Sequence, residues 1–240
     1  MIDSLLHRQM LLRWSRDADK AHEMGLNRLR NIRGRAWSLR TQIDRLLRVA
    51  NPRLADVPAI RRPPGTDWSW RPASLLAPLA DARLACGDGQ SLGSHVTVFH
   101  DCPLGEIGLR QVRGQGGGTP FSLQLDVYGF RGSYLSLALD LPVEAAQGLL
   151  RRHVIALSID IAADRPQRVT ARLNIQHGPN LEQLRQEVPE DGAVEFDLAY
   201  ADLRESRVEK MWVDLFFEEP EMNHILLRDI TAIRRPRAEV

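Results

Sequence analysis

The chain has 240 residues, 43% of them apolar and 26% charged, with a formal net charge of +1. This composition excludes disorder throughout, and the length suits one sizeable domain with an appendage or two small ones. Two cysteines are too few for a disulfide scaffold. No apolar run approaches the ~20 residues of a bilayer span, and Arg8 and Arg13 interrupt the N-terminus where a secretory signal needs an unbroken apolar core.

The expected compartment is therefore the cytoplasm, with reduced thiols. The charge is unevenly spread: residues 1–75 hold 15 Lys+Arg against 7 Asp+Glu. Such asymmetry points the front segment at something acidic, whether an anionic membrane surface, an acidic partner or the body of the same chain. No specific nucleic-acid motif accompanies it.

Residues 1–50 read as a basic amphipathic helical arm. Trp14, Ala18, Ala21, Gly25, Leu29, Ile32, Ala36, Leu39, Ile43 and Leu46 recur at spacings of three and four, close to heptad periodicity. Arg16, Arg28, Arg33, Arg35, Arg40 and Arg45 fall off that seam. Gly25 and Gly34 each weaken a helix by about 1 kcal/mol relative to Ala, so two or three shorter helices are expected. Residues 51–78 read as a proline-rich linker, with Pro52, Pro58, Pro63, Pro64, Pro72 and Pro78 removing backbone donors and favouring extended chain. Trp68 and Trp70 are expected to pin its end to the domain that follows.

Over 79–240 the period changes to two. The alternating stretches are 95–100, 106–113, 121–128, 135–141, 154–161, 169–175, 194–198, 208–217 and 225–233, separated by Gly-, Pro- and Asp-rich turns. About nine closely spaced strands with little helix between them predict a mainly β, jelly-roll-like antiparallel sandwich. Short helices are expected at Val143–Leu149 and at Leu181–Val188, where Asn180 and Gln183 have capping-box spacing.

Phe-His-Asp-Cys at 99–102, Ser-Tyr-Leu-Ser-Leu at 133–137, Arg-Leu-Asn-Ile-Gln-His-Gly-Pro-Asn at 172–180, Met-Asn-His-Ile-Leu-Leu-Arg-Asp at 222–229 and Arg-Arg-Pro-Arg at 234–237 resemble a bacterial family of unknown function. The resemblance spans most of the chain and implies no activity. The strand pattern is also similar to galactose-binding-type jelly rolls, a likeness of fold that transfers no site.

Candidate chemistry is sparse. Gly89-Gln90-Ser91-Leu92-Gly93 matches a hydrolase nucleophile elbow, but the residues after it read as strand where that chemistry needs a helix. His95, His100, Asp101, Cys102 and Cys86 are zinc-ligand types without the spacing of a known zinc site, so no metal is assigned. The glycines at 116–118 lack the lysine and following helix of a phosphate loop. Glu218, Glu219 and Glu221 around Pro220 read as a solvated loop. His177 in His-Gly-Pro-Asn is either a ligand or part of a turn.

The most specific pattern is an outward sheet face. If Val169, Ala171, Leu173 and Ile175 point inward, Arg172 and Asn174 point outward. If Met211, Val213, Leu215 and Phe217 point inward, Trp212, Asp214 and Phe216 point outward, and Ser136 and Asp140 do so on a third strand. Arg172, Asn174, Trp212, Asp214 and His177 are therefore the candidate ligand-binding residues. An indole with fixed polar groups suits a carbohydrate, although the helical arm could equally cover this face. The leading reading is a non-catalytic module for a glycan-type ligand or protein partner. The alternatives are a peripheral membrane or assembly contact made by the arm and an enzyme. The sequence supplies neither a catalytic constellation nor a cofactor motif.

Overall fold

The computed structural model describes residues 2–54, 57–79, 82–83, 85–114 and 118–237. The glycine run expected not to hold phosphate lies partly outside them, at 116–117. The chain divides into two compact units, Met1–Ala50 and Asn51–Val240.

The first unit is helical. Helix α1 (Ile2–Asp19) ends before a single 3-10 turn, Ala21–Glu23, and α2 begins at Leu26 and runs to Leu54. The break falls at Gly25, as its poor helix propensity suggests, but α2 continues through Gly34, whose missing Cβ would meet nothing within 4 Å. No helix among the described residues is long and apolar enough to cross a membrane.

The second unit is a two-sheet antiparallel sandwich. Its strands are β1 (Trp68–Trp70), β2 (Ala82–Arg83), β3 (Gln90–Leu92), β4 (Val96–His100), β5 (Ile107–Arg113), β6 (Phe121–Val127), β7 (Leu135–Asp140), β8 (His153–Ala163), β9 (Val169–His177), β10 (Asn180–Glu187), β11 (Ala193–Asp197), β12 (Val208–Phe217) and β13 (Asn223–Pro236). One sheet runs β11-β8-β13-β6-β5-β2, with β1 added on β13; the other runs β10-β9-β12-β7-β4-β3. Alternation puts Leu137, Leu139, Leu173, Ile175, Val213 and Leu215 of the second sheet against Leu109, Leu123, Ile155, Phe196 and Ile230 of the first, and each is at most 2% exposed. The fold is thus the mainly β, jelly-roll-like sandwich with an N-terminal helical segment that the period-two pattern predicts.

Two local expectations change and a third holds. Leu181–Val188 is not a helix: Asn180–Glu187 is edge strand β10, paired with β9 from Asn180↔His177 to Glu187↔Thr170. The chain reverses through Gly178 and Pro179, with Gly178 at φ +61°, a conformation open to glycine, and the ladder overrides a weak helical signal. The helix after Pro142 is only α3 (Val143–Ala146). Gly89 and Gly93, both at positive φ, bracket strand β3, which pairs with β4; no helix follows Ser91.

The proline-rich stretch is part of the sandwich unit. Strand β1 pairs with β13 through Trp68↔Arg234 and Trp70↔Ala232, and Leu75 is fully buried. Arg234, only 7% exposed, ties the stretch down: its Nε donates to Asp67 and its Nη1 to the carbonyls of Ala145 and Gln147. Arg71 adds a bidentate pair with Asp229 at 2.8 and 2.7 Å and donates to the Pro58 carbonyl. The folded body therefore begins well before residue 79. Leu75→Ala should lower its stability by about 2–5 kcal/mol in urea titrations, whereas a tethering linker residue would change it little.

His153 makes the sandwich acid-sensitive. Burial is the largest cause holding its pKa below the ordinary 6.5, and its Nδ1 accepts the Leu150 amide at 3.1 Å. The unfolded chain takes up a proton near 6.5 that the folded chain refuses. This contribution to stability is therefore present above 6.5 and is lost as pH falls below it. Denaturant midpoints should fall with pH through that window, and His153→Asn should flatten the slope; parallel slopes would assign the acid sensitivity elsewhere.

Candidate functional site

The outer face of the six-stranded sheet carries most of the candidate residues. Antiparallel register places them in three cross-strand rows. Gln183, Asn174, Trp212 and Asp140 form one; Arg185, Arg172, Asp214, Ala138, Thr97 and Ser91 form the next; Glu187, Thr170, Phe216, Ser136 and Phe99 form the third. Arg172, Asn174, Trp212 and Asp214 are brought together as mutual neighbours on β9 and β12. Between the β12 side chains and Thr97 and Phe99 on β4 stand the small residues Ser136 and Ala138 of β7, 3% and 7% exposed.

Asp214 is the hub. Its Oδ2 accepts from Arg172 Nε at 3.0 Å, Arg172 Nη2 at 2.7 Å and Asn174 Nδ2 at 2.8 Å. Gln183 Nε2 donates to Asn174 Oδ1 at 2.9 Å, extending the network to the edge strand. Asp214 and Asn174 are 3% and 0% exposed although they belong to the outward set, because longer neighbours close over them. The two aromatics flank the hub, each beside a cation: Arg172 lies 4.6 Å over the Phe216 ring, and Lys210 lies 5.5 Å over Trp212 while pairing with Asp140 at 2.8 Å. Among the described residues no hydrogen bond reaches Asp214 Oδ1 or leaves Arg172 Nη1.

At the Phe216 end the face opens into a cleft of about 770 Å³ lined by Phe216, Thr170, Arg185, Tyr134, Phe130 and the Glu218–Glu221 loop. The loop's carboxylates are exposed, and Glu218 pairs with Arg168 at 3.5 Å. Across the cleft, desolvation first and the charges of Asp88 and Asp101 second raise the Tyr134 pKa, keeping the phenol a donor. Asp101 is held low chiefly by the Ser133 hydroxyl and also accepts the Ser133 and Tyr134 amides, so it fixes the loop carrying that tyrosine.

His177 does not join the site. It shares the inward parity of Ile175, is 3% exposed, and its Nδ1 accepts the Arg204 amide at 3.4 Å. The alternation of β9 already held that signal. The other candidates serve the fold. His100 Nδ1 accepts the Cys102 amide, which leaves Nε2 to donate to the Cys86 carbonyl at 2.9 Å. Both cysteines are buried thiols, and Ser91 pairs with Thr97. No group of three or more His, Cys, Asp or Glu among the described residues is arranged to hold a metal ion. Sequence reasoning missed Gln183 and Arg185 because their strand read as helix, and it missed Lys210 although it has the parity of Trp212.

In structure the chain is similar to the family 11 carbohydrate-binding module of a cellulosomal cellulase from Clostridium thermocellum, at 10% identity over 63% of this chain and 92% of that one, with a TM-score of 0.39. It is also similar to a xylan-binding CBM22-1 domain of Paenibacillus barcinonensis, at 11% identity over 68% and 97% of the two chains, with a TM-score of 0.36. A tailspike protein of bacteriophage CBA120 aligns at 8% identity over 58% of this chain but only 19% of its own length, with a TM-score of 0.39. No curated protein matches the chain in sequence. A family of unknown function, DUF6478, matches it over residues 1–240, and the chain belongs to that family.

Proposed function

We propose that the sandwich is a non-catalytic binding module whose six-stranded outer face takes a polyhydroxylated, glycan-type ligand. The observation that carries this reading is the convergence of Arg172 and Asn174 on one oxygen of a buried Asp214, between Trp212 and Phe216. The pairing holds the guanidinium in a fixed plane. With Nε and Nη2 turned to Asp214 Oδ2, Arg172 Nη1 points away from the carboxylate as a donor, and Asp214 Oδ1 remains as an acceptor. A sugar hydroxyl both donates and accepts and so suits either group, while an aromatic ring takes the apolar face of the sugar. The cleft beyond Phe216 gives an extended ligand room at that end of the face. Lys210 has to swing off the indole for a ring to stack there, and its side chain, 52% exposed, is free to do so.

A glycan array followed by calorimetry tests this. Trp212→Ala should weaken the best saccharide by at least about tenfold, roughly 1.4 kcal/mol, with the sandwich still folding cooperatively. Asp214→Ala should instead cost about 3–5 kcal/mol of stability, because it leaves Arg172 beside a desolvated vacancy. Silence of the whole array, or unchanged affinity in Trp212→Ala, would overturn the reading; array silence with capture of a peptide on the same face would assign the site to a protein ligand.

A further inference from the structure

We infer that α2 is one half of a heterotypic coiled coil and that its partner is an acidic amphipathic helix. The seam is strict. Leu29, Ile32, Ala36, Leu39, Ile43 and Leu46 occupy successive a and d positions of a heptad along one uninterrupted helix. Between Leu26 and Arg40 the half-buried residues are Leu29, Ile32, Ala36 and Leu39, and every other side chain is exposed. Further along, Ile43 and Leu46 are 46% and 66% exposed. Helix α1 does not pack along α2, so the helical unit does not cover this seam itself.

The flanking positions choose the partner. Arg28 and Arg35 fall at g, Arg33 and Arg40 at e. In a parallel pair of identical helices g faces e of the mate; in an antiparallel pair e faces e and g faces g. Both arrangements set arginine against arginine over these two heptads, so the charge pattern rejects a second copy of this chain in either direction. A partner with Glu or Asp at its flanking positions turns every one of those contacts into an attraction. Arg40 pairs weakly with Asp44 along its own helix at 3.5 Å, whereas Arg28, Arg33 and Arg35 form no ion pair among the described residues. The whole helix carries eight arginines and one acidic residue.

The same geometry disfavours a lipid surface. A helix lying in a membrane interface needs a broad apolar face. From Arg28 to Arg40, arginines close in on both sides of a stripe only two positions in seven wide, which is the width of a coiled-coil seam.

The full chain is tested with two synthetic helices, each carrying Ile and Leu at a and d, one with Glu and the other with Lys at e and g. Fluorescence anisotropy should show the Glu helix binding, more weakly as salt rises, and the Lys helix failing to bind. A variant combining Arg28→Glu, Arg33→Glu, Arg35→Glu and Arg40→Glu changes only exposed side chains. It should reverse the preference by at least about tenfold each way, while circular dichroism stays unchanged. Leu39→Asp should remove binding of the Glu helix. Equal binding of both helices, binding of neither, a dimer of the chain alone in sedimentation equilibrium, or attachment to phosphatidylserine vesicles without binding of the Glu helix would each overturn the assignment. Binding of neither helix, together with a fall in the melting temperature of the sandwich in Leu39→Asp, would show instead that the chain's own body takes the seam.

Discussion

The pairing of β9 with β12 organises the sandwich and its candidate site together. Their register sets Leu173 opposite Val213 on the inner face, and Arg172 opposite Asp214 and Asn174 opposite Trp212 on the outer face. A slip of one residue would send Leu173 and Ile175 to the surface and force a guanidinium into the core. The apolar residues enforce the register, and the register then delivers the polar network. Core and site are thus two readings of one alternation, which explains why four residues from two segments far apart in sequence converge without any loop to hold them.

That alternation is also what made the fold legible in advance. Long strands with one apolar face, such as β7, β9, β12 and β13, could be read from period two alone, and with them the outward positions of Arg172, Asn174, Trp212 and Asp214. Elements whose apolar pattern is weak could not be read so. Strand β10 is an edge whose side chains are mostly exposed, so Leu181, Leu184 and Val188 mimic a helical spacing. Strand β1 has three residues and follows a run of prolines; its place is set by a tertiary partner, β13, and by the ion pair of buried Arg234 with Asp67. Sequence carries the local period, but it does not carry which distant strand will supply the missing hydrogen bonds. His177 is a different case: the sequence reading names it a candidate ligand although it shares the inward parity of Ile175, and its His-Gly-Pro-Asn setting is the turn of a hairpin.

The two units solve opposite problems. The sandwich buries its apolar residues against each other and keeps the buried guanidinium groups of Arg234 and Arg71 tied to carboxylates and carbonyls. The helical unit does neither: its apolar seam is half exposed, and among the described residues most of its arginines form no ion pair. Gly34 lies at the outward f position of the heptad, away from the seam, where its cost to helix propensity leaves the contact stripe intact. On the functions proposed above for the sandwich and for α2, one chain would bring the sandwich's ligand to wherever the arm's partner resides.

The polar network on the sheet is hard to account for as a device for stability. Taking a carboxylate to 3% exposure on the outer side of a sheet incurs desolvation that the Arg172 pairing only offsets. Thr or Val at 174 and 214 would fill the same lattice of side chains with no charge to compensate. What the network does provide is geometry: a guanidinium held flat over Phe216, an amide locked by Gln183, and an indole kept beside them under a movable lysine. Fixed donors and acceptors next to an aromatic surface lose little entropy when a ligand arrives, and that is where a binding face gains over an ordinary solvated sheet.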